Sequence, residues 1–102
     1  MLAAFSITPV GVGVGVGEQV AAAVRVIRDS GLPNRTSASF TEIEGEWDEV
    51  MAVLKEATAA VMKTADRCSV IIKVDIRPGH TGTLTSKIES VESRLAEQHP
   101  EL

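Results

Sequence analysis

The sequence has few of the residues from which disulfides, metal sites and aromatic cores are built. Cys68 is its only cysteine, so no disulfide can form within the chain. The two histidines lie far from it in sequence, and this spacing does not indicate a metal site. There is no tyrosine, and the aromatic side chains are Phe5, Phe40 and Trp47. The core must therefore be built mainly from aliphatic side chains.

An excess of positive charge and a long apolar run are also missing. The formal net charge is −4, whereas phosphate binding requires a basic surface, so nucleic acid is not expected as a partner. No segment approaches the length of a membrane span, and the first residues lack the features of a signal peptide. We therefore expect a cytoplasmic protein that binds neither nucleic acid nor membrane.

The 102 residues that are present suffice for a single domain, residues 1–102. Four segments alternate in polarity as strands do, and three have a helical repeat. The predicted strands are Leu2–Val10, Asn34–Phe40, Phe40–Gly45 and Ser69–Arg77. The predicted helices are Glu18–Ser30, Trp47–Ala65 and Thr83–Gln98.

Local signals refine these segments. Pro9 is expected to end regular pairing of the first strand. The glycine-valine repeat of residues 11–17 lacks the spacing of a phosphate-binding loop, and we interpret it as a flexible connection. Ser86 and Glu89 fit a capping box in the third helix. Trp47 is expected to pack in the core.

All three predicted helices carry apolar stripes, and that of the second is Val50, Leu54, Ala57 and Val61. That of the first helix consists of Val20, Ala23, Val24 and Ile27, and that of the third consists of Leu84, Ile88, Val91 and Leu95. The stripe of the third helix must be buried, either on its own sheet or on another subunit. A homodimer or homotetramer is therefore expected.

The order of elements predicts an α+β, ferredoxin-like split βαβ sandwich (βαββαβ) with an additional C-terminal helix. Right-handed crossovers place the first two helices on one face of an antiparallel sheet. Strands one and three are then central neighbours, with strand four beside strand one. The other face, called the open face below, is predicted to present Ser6, Thr8, Glu42, Glu44, Ile71, Lys73, Asp75 and Arg77.

Several segments, in this order and spacing, resemble the small thiamine-binding domain family of bacteria and archaea. They are Phe5–Gly11, Ser30–Leu32, Thr41–Gly45, Asp48–Val50, Lys73–Arg77 and Ser86–Val91. The resemblance covers nearly the whole chain. It implies a ferredoxin-like fold, dimers and tetramers, no catalysis, and binding of thiamine or its pyrimidine portion for sequestration or delivery.

The chain departs from the family pattern at three places. Residues 38–40 are Ala-Ser-Phe where much of the family has Pro-Met-Gly. Many members have an Asp-Lys pair after the arginine that matches Arg77, where this chain has Pro-Gly-His at residues 78–80. The glycine run replaces serines usual after the first strand. These departures indicate that ligand specificity could have shifted.

Thiamine joins an aminopyrimidine to a cationic thiazolium, and a carboxylate can accept hydrogen bonds from the amino group and offset the charge. Glu44 is predicted for this role, with a surface ion pair to Lys73 or Arg77 as the alternative. Phe40 is a candidate for stacking, and several hydroxyls are candidate polar contacts. The predicted ligand-binding residues are Ser6, Thr8, Ser37, Ser39, Phe40, Thr41, Glu44, Lys73 and Asp75.

Three functions are compatible with these features. The first is non-enzymatic binding of thiamine or its pyrimidine moiety in a pocket on the open face, at a subunit interface. The second is a structural or regulatory oligomerisation module without a ligand. An enzyme is the least favoured, because neither histidine is predicted on a strand facing the pocket. No catalytic residue, metal or cofactor other than thiamine as ligand is predicted.

Overall fold

A computed structural model of the chain describes residues 1–13 and 16–98. In chain order, the described elements are β1 (Leu2–Val10), α1 (Gly17–Asp29), β2 (Asn34–Thr36), β3 (Thr41–Glu44), α2 (Trp47–Met62), β4 (Arg67–Asp75) and α3 (Thr83–Gln98). The flexible connection predicted for residues 11–17 lies partly outside the described residues.

The strands form one antiparallel sheet in the order β2-β3-β1-β4. This is the predicted arrangement, and it confirms the α+β, ferredoxin-like fold with an additional C-terminal helix. Ala4 of β1 pairs with Glu42 of β3 and with Lys73 of β4. Since paired residues share a face, these three side chains lie together on the open face.

The ends of β4 differ from the prediction because a strand extends only as far as its partner. β1 supplies paired residues for Arg67–Asp75, so β4 begins and ends two residues before the predicted Ser69–Arg77. The prediction that Pro9 ends regular pairing is wrong. Pro9 pairs with Cys68, and the pairing continues to Val10 opposite Arg67.

The connection between β2 and β3 is longer than predicted. β2 ends at Thr36 instead of Phe40, and residues 37–40 form a loop. In that loop the Ser37 N–H donates to the Phe40 carbonyl oxygen over 2.9 Å, which closes it tightly. The loop therefore lies beside the point where the pairing between β1 and β3 ends.

The core lies between the sheet and the two helices α1 and α2. It combines Ala3, Phe5 and Ile43 of the sheet with Ala23 and Ile27 of α1, and with a line of α2 residues that are all buried: Val50, Leu54, Ala57 and Val61. The predicted α1 stripe is only partly right. The buried line of α1 is Gln19, Ala23 and Ile27, whereas Val20 is 43% exposed.

The turn from β3 into α2 leaves little room for a side chain at Gly45. A Cβ atom on Gly45 would lie 3.3 Å from both a Leu32 and a Val50 methyl carbon, which is tighter than ordinary contact. The helix that follows begins at Trp47, whose side chain is 51% exposed. The prediction that Trp47 packs in the core is therefore wrong, because the first residue of α2 lies at the rim of the sheet.

The third helix projects from the body of the protein. Leu84 is its one buried residue among those described, while Ile88, Val91 and Leu95 remain 44%, 55% and 47% exposed. The projection gives the chain principal extents of 51 × 31 × 20 Å. The stripe of α3 thus does not pack on its own sheet, and the protein leaves it uncovered.

Candidate ligand-binding site

A cavity of about 220 Å³ opens between α1 and one end of the sheet. We call it the strand-end cavity. Residues 5–9 of β1 and residues 36–41 around the β2–β3 loop form two of its sides. Apolar residues of α1 and its approach form the third: Val16, Val20, Ala23, Val24 and Ile27.

This cavity brings together most of the residues that the sequence predicts for ligand binding. Six of the nine line it: Ser6, Thr8, Ser37, Ser39, Phe40 and Thr41. They come from β1, the loop and the start of β3, which are separated by some thirty positions in sequence. The other three, Glu44, Lys73 and Asp75, do not line it.

The lining of the strand-end cavity is uncharged. No aspartate, glutamate, lysine, arginine or histidine is among its lining residues in the described part of the chain. Hydroxyl groups supply the polar side-chain atoms, and each can both donate and accept a hydrogen bond. Phe40, which is 40% exposed, supplies an aromatic ring. Such a lining suits a small neutral ring with polar edges better than an ion.

Lys73 lies on the open face, as predicted, beside a second and wider depression. This depression is also lined by Ala4, Glu42 and Ile71, and the β2–β3 loop lies between it and the strand-end cavity. Ser37, Ser39 and Phe40 border both spaces, one on each side of the loop. The open face therefore offers an alternative, charged surface at the same end of the sheet.

Glu44 is on the open face but is engaged in holding α3. Its Oε2 accepts the N–H groups of Gly82 at 2.6 Å and Thr83 at 3.2 Å, and its Oε1 accepts that of Leu84 at 3.1 Å. The side chain is 7% exposed. A helix N-terminus favours an anion, so Glu44 caps α3 from another part of the chain. A role of Glu44 in ligand binding stays a prediction.

This cap replaces the local one that the sequence suggests. The N–H groups of Thr85 and Ser86 donate to the Gly82 carbonyl oxygen, so Ser86 lies inside the helix. The predicted capping box between Ser86 and Glu89 is absent from the described hydrogen bonds, and this prediction is wrong. A capping box does form in α2, where the Glu46 N–H donates to the Glu49 carboxylate over 3.1 Å.

Asp75 pairs with Lys87 of α3 rather than with Lys73. The hydrogen bond from Lys87, followed by its charge, lowers the pKa of the Asp75 carboxyl below its ordinary value. Lys73 contributes less to this shift. The pair is exposed, so it fixes where α3 leaves the body more than it stabilises the fold.

Gln19 is a residue that the sequence prediction missed. It shares the buried line of α1 with Ala23 and Ile27, both of which line the strand-end cavity. Its side-chain oxygen has no hydrogen-bond partner among the described residues. A glutamine placed four residues before Ala23, in an otherwise apolar line, is the signal that could have found it.

Neither a metal-binding cluster nor a membrane-spanning helix is found among the described residues. No group of three or more His, Cys, Asp or Glu side chains within residues 1–13 and 16–98 could hold a metal ion. Among the helices of that same part of the chain, none combines the length and apolar character that crossing a membrane requires.

Comparison with known proteins gives one family. The family described as thiamine-binding protein matches residues 3–92. A UPF0045 protein of Mycobacterium bovis is 58% identical over 96 residues, which cover 93% of this chain and 94% of that protein.

Two solved structures share the fold. The hypothetical protein from Methanocaldococcus jannaschii has a TM-score of 0.82 at 32% identity, covering 89% of this chain and 94% of that one. A Thermotoga maritima protein, named as a candidate for thiamine biosynthesis or salvage, has a TM-score of 0.78 at 21% identity. That match covers 88% of this chain and 96% of the other, and at this identity it shows the fold alone.

Proposed function

Because the chain belongs to the thiamine-binding protein family, we propose that it binds thiamine or its pyrimidine moiety without catalysis, and that the strand-end cavity receives the pyrimidine. The observation that carries this proposal is the gathering of six predicted contact residues around one uncharged cavity. The sequence alone favoured the open face, and the two locations give different experimental outcomes.

The lining matches the chemistry of an aminopyrimidine. Such a ring is flat and neutral, with an amino group that donates and ring nitrogens that accept hydrogen bonds. The aliphatic side chains of α1 can cover one face of the ring, and Phe40 can stack on it. Hydroxyls such as those of Thr36 and Thr41, which share the face of Phe5, can pair with the polar edges.

The size of the cavity supports a binding mode in which only the pyrimidine ring of thiamine lies inside. Its volume of about 220 Å³ is below the roughly 300 Å³ at which pockets for drug-sized ligands begin. One substituted ring fits this space, and the thiazolium would extend through the mouth. That arrangement also agrees with charge, since a cation gains nothing from an uncharged, partly buried lining and is better hydrated outside.

Binding rather than turnover is supported by what surrounds the ligand. General acid–base catalysis needs a positioned titratable side chain within hydrogen-bond reach of the reacting group. The described lining residues of the strand-end cavity include none. The role proposed is therefore that of a carrier or reservoir of the vitamin.

A second copy of the chain is the partner proposed for α3. In the described residues, the buried Leu84 and the pair of Lys87 with Asp75 attach the start of the helix to the body, and the stripe of Ile88, Val91 and Leu95 is left exposed. A two-fold axis would present the same stripe from both copies, which is how a self-complementary interface forms. β4, an edge strand of the sheet, also leaves Val70 and Ile72 exposed by 38% and 41%.

The location of the ligand can be tested by calorimetric titration with thiamine and with its aminopyrimidine fragment. Thr36→Val and Thr41→Val each remove a hydroxyl of the strand-end cavity at nearly constant size. Lys73→Met is the matched control on the open face. We expect the threonine variants to weaken binding by about tenfold, roughly one lost hydrogen bond, and the control to bind like the wild type.

The opposite pattern would refute the proposed cavity. Binding that Lys73→Met weakens, and that both threonine variants leave unchanged, would move the ligand to the open face. No saturable binding of either compound would remove the proposed function altogether and leave the oligomerisation module.

A further inference from the structure

The direction of the backbone groups of β1 can be read from its pairing with β3. The Gly45 N–H donates to the Met1 carbonyl oxygen over 3.1 Å, and the Met1 nitrogen donates to the Gly45 carbonyl oxygen over 2.9 Å. Such doubly bonded pairs alternate with non-bonded pairs along an antiparallel ladder. Every second residue of β1 after Met1 therefore directs its N–H and C=O groups toward β3.

The pairing of β2 with β3 gives the same assignment independently. The Glu44 N–H donates to the Pro33 carbonyl oxygen over 2.9 Å, and the Ser37 N–H donates to the Phe40 carbonyl oxygen over the same distance. Glu44 thus faces β2 with its backbone groups. By alternation, Ile43 and Thr41 face β1, and their partners there are Ala3 and Phe5.

β1 continues where β3 has ended. Its pairing with β3 stops at Phe5 opposite Thr41, while its pairing with β4 continues to Val10. Ile7 is the next residue of β1 whose N–H and C=O groups point to the β3 side, and none of the described strands lies there. No hydrogen bond of the loops, turns or caps in the described residues reaches either group. Pro9, the residue after that, has no N–H to leave unpaired.

This free edge borders the strand-end cavity. Successive side chains of a strand point to opposite faces, so one face could contribute only every second residue. All of residues 5–9 line the cavity, and this requires that the edge of the strand itself be exposed to it. The N–H and C=O groups of Ile7 therefore form a donor and an acceptor side by side at the cavity wall.

We propose that the backbone N–H and C=O groups of Ile7 bind the edge of the aminopyrimidine on which the amino group adjoins a ring nitrogen. The ring nitrogen accepts the Ile7 N–H, and the amino group donates to the Ile7 carbonyl oxygen. The inference rests on the proposed function and deepens it, because it names the protein groups that would hold the hydrogen-bonding edge of the aminopyrimidine.

The same edge is poorly suited to a peptide strand. Only one residue with both groups free lies between Phe5 and Pro9, and β-strand addition uses several consecutive pairs. The volume of about 220 Å³ under α1 also holds one ring rather than a chain segment. In the orientation proposed for the aminopyrimidine, an oxo-pyrimidine would oppose the carbonyl of Ile7 with a second carbonyl, so it would have to bind turned over.

Ile7→Pro removes the edge N–H, and Pro9 shows that β1 tolerates proline at this side of the strand. Ile7→Ala is the matched control, because it also removes side-chain packing but keeps the N–H. We expect the proline variant to bind the aminopyrimidine fragment of thiamine about tenfold more weakly than the alanine variant, because only the alanine variant keeps the edge N–H. Equal binding by the two variants would overturn the inference while leaving the proposed function in place.

A second measurement needs only the wild-type protein. Hydrogen exchange of the Ile7 amide is expected to be fast in the free protein and slowed by the aminopyrimidine fragment. Binding of the fragment without any protection of the Ile7 amide would contradict the inference. Absence of binding by the wild type would remove the proposed function and this inference together.

Discussion

The cap that Glu44 forms on the N-terminus of α3 gives the most specific prediction for stability. Glu44→Gln removes the negative charge and leaves one acceptor oxygen for three N–H donors, those of Gly82, Thr83 and Leu84. The amide group of the new side chain would also direct its own hydrogens toward donors. The change therefore replaces a matched contact by a partly repulsive one at nearly constant size.

The expected magnitude follows from the number and type of bonds lost. A hydrogen bond to a charged group contributes about 1.5–3 kcal/mol, and an anion at a helix N-terminus adds about 0.3–1 kcal/mol. Because a neutral glutamine oxygen still accepts one bond, we expect a loss of about 2–3 kcal/mol in the free energy that holds α3. If α3 unfolds with the rest of the chain, the midpoint of thermal unfolding falls by roughly 10–20 °C.

Thermal unfolding followed by circular dichroism measures this loss, and hydrogen exchange of the Gly82, Thr83 and Leu84 amides locates it. Glu42→Gln is the control, since Glu42 lies two residues away on the same face of β3. We expect the control to unfold like the wild type. Equal midpoints and equal amide exchange for the two variants would show that Glu44 does not hold α3, and would refute the reasoning.

Two further predictions concern how α3 is held and what covers it. Val91→Glu places a charge in the exposed stripe and is expected to shift sedimentation toward the monomer. Ser90→Glu, on the neighbouring side of the helix, is the control and is expected to sediment like the wild type. Equal sedimentation of both variants would contradict the proposed contact. The pKa of the Asp75 carboxyl is lowered in the folded protein, so its pair with Lys87 stabilises the fold above the ordinary pKa and loses this contribution as the pH falls through the lowered one. An NMR titration of Asp75 is expected to show its pKa rising in Lys87→Met, and an unchanged pKa would remove Lys87 as the cause.

Much of the fold could be predicted because the alternation of β1 and β4 assigns faces without further information. Ala4 and Lys73 share the open face as their positions in the pattern require. Strand ends were less predictable, since the alternating pattern of β4 continues to Arg77 while its partner ends opposite Asp75. The length of a strand depends on a neighbour that local sequence does not contain.

The sequence predicted many residues of the candidate site but not where on the sheet the site lies. Alternation assigns Ser6 and Thr8 to the open face, and their partners on β4 agree with this. Alternation says nothing of the edge of a strand, which becomes accessible only because β3 stops before β1 does. The cap by Glu44 is similarly invisible in local sequence, because donor and acceptor are 38 or more positions apart.

The central claim is that the pyrimidine binds in the strand-end cavity, and amide chemical shifts test it most directly. Isotope-labelled protein would be titrated with the aminopyrimidine fragment of thiamine while shifts are followed residue by residue. We expect saturable changes for the amides of residues 6–8 of β1 and of Val20 and Val24 of α1, which line the strand-end cavity but not the depression on the open face. Changes confined to Ala4, Ile71 and Lys73 would contradict the claim and place the ligand on the open face.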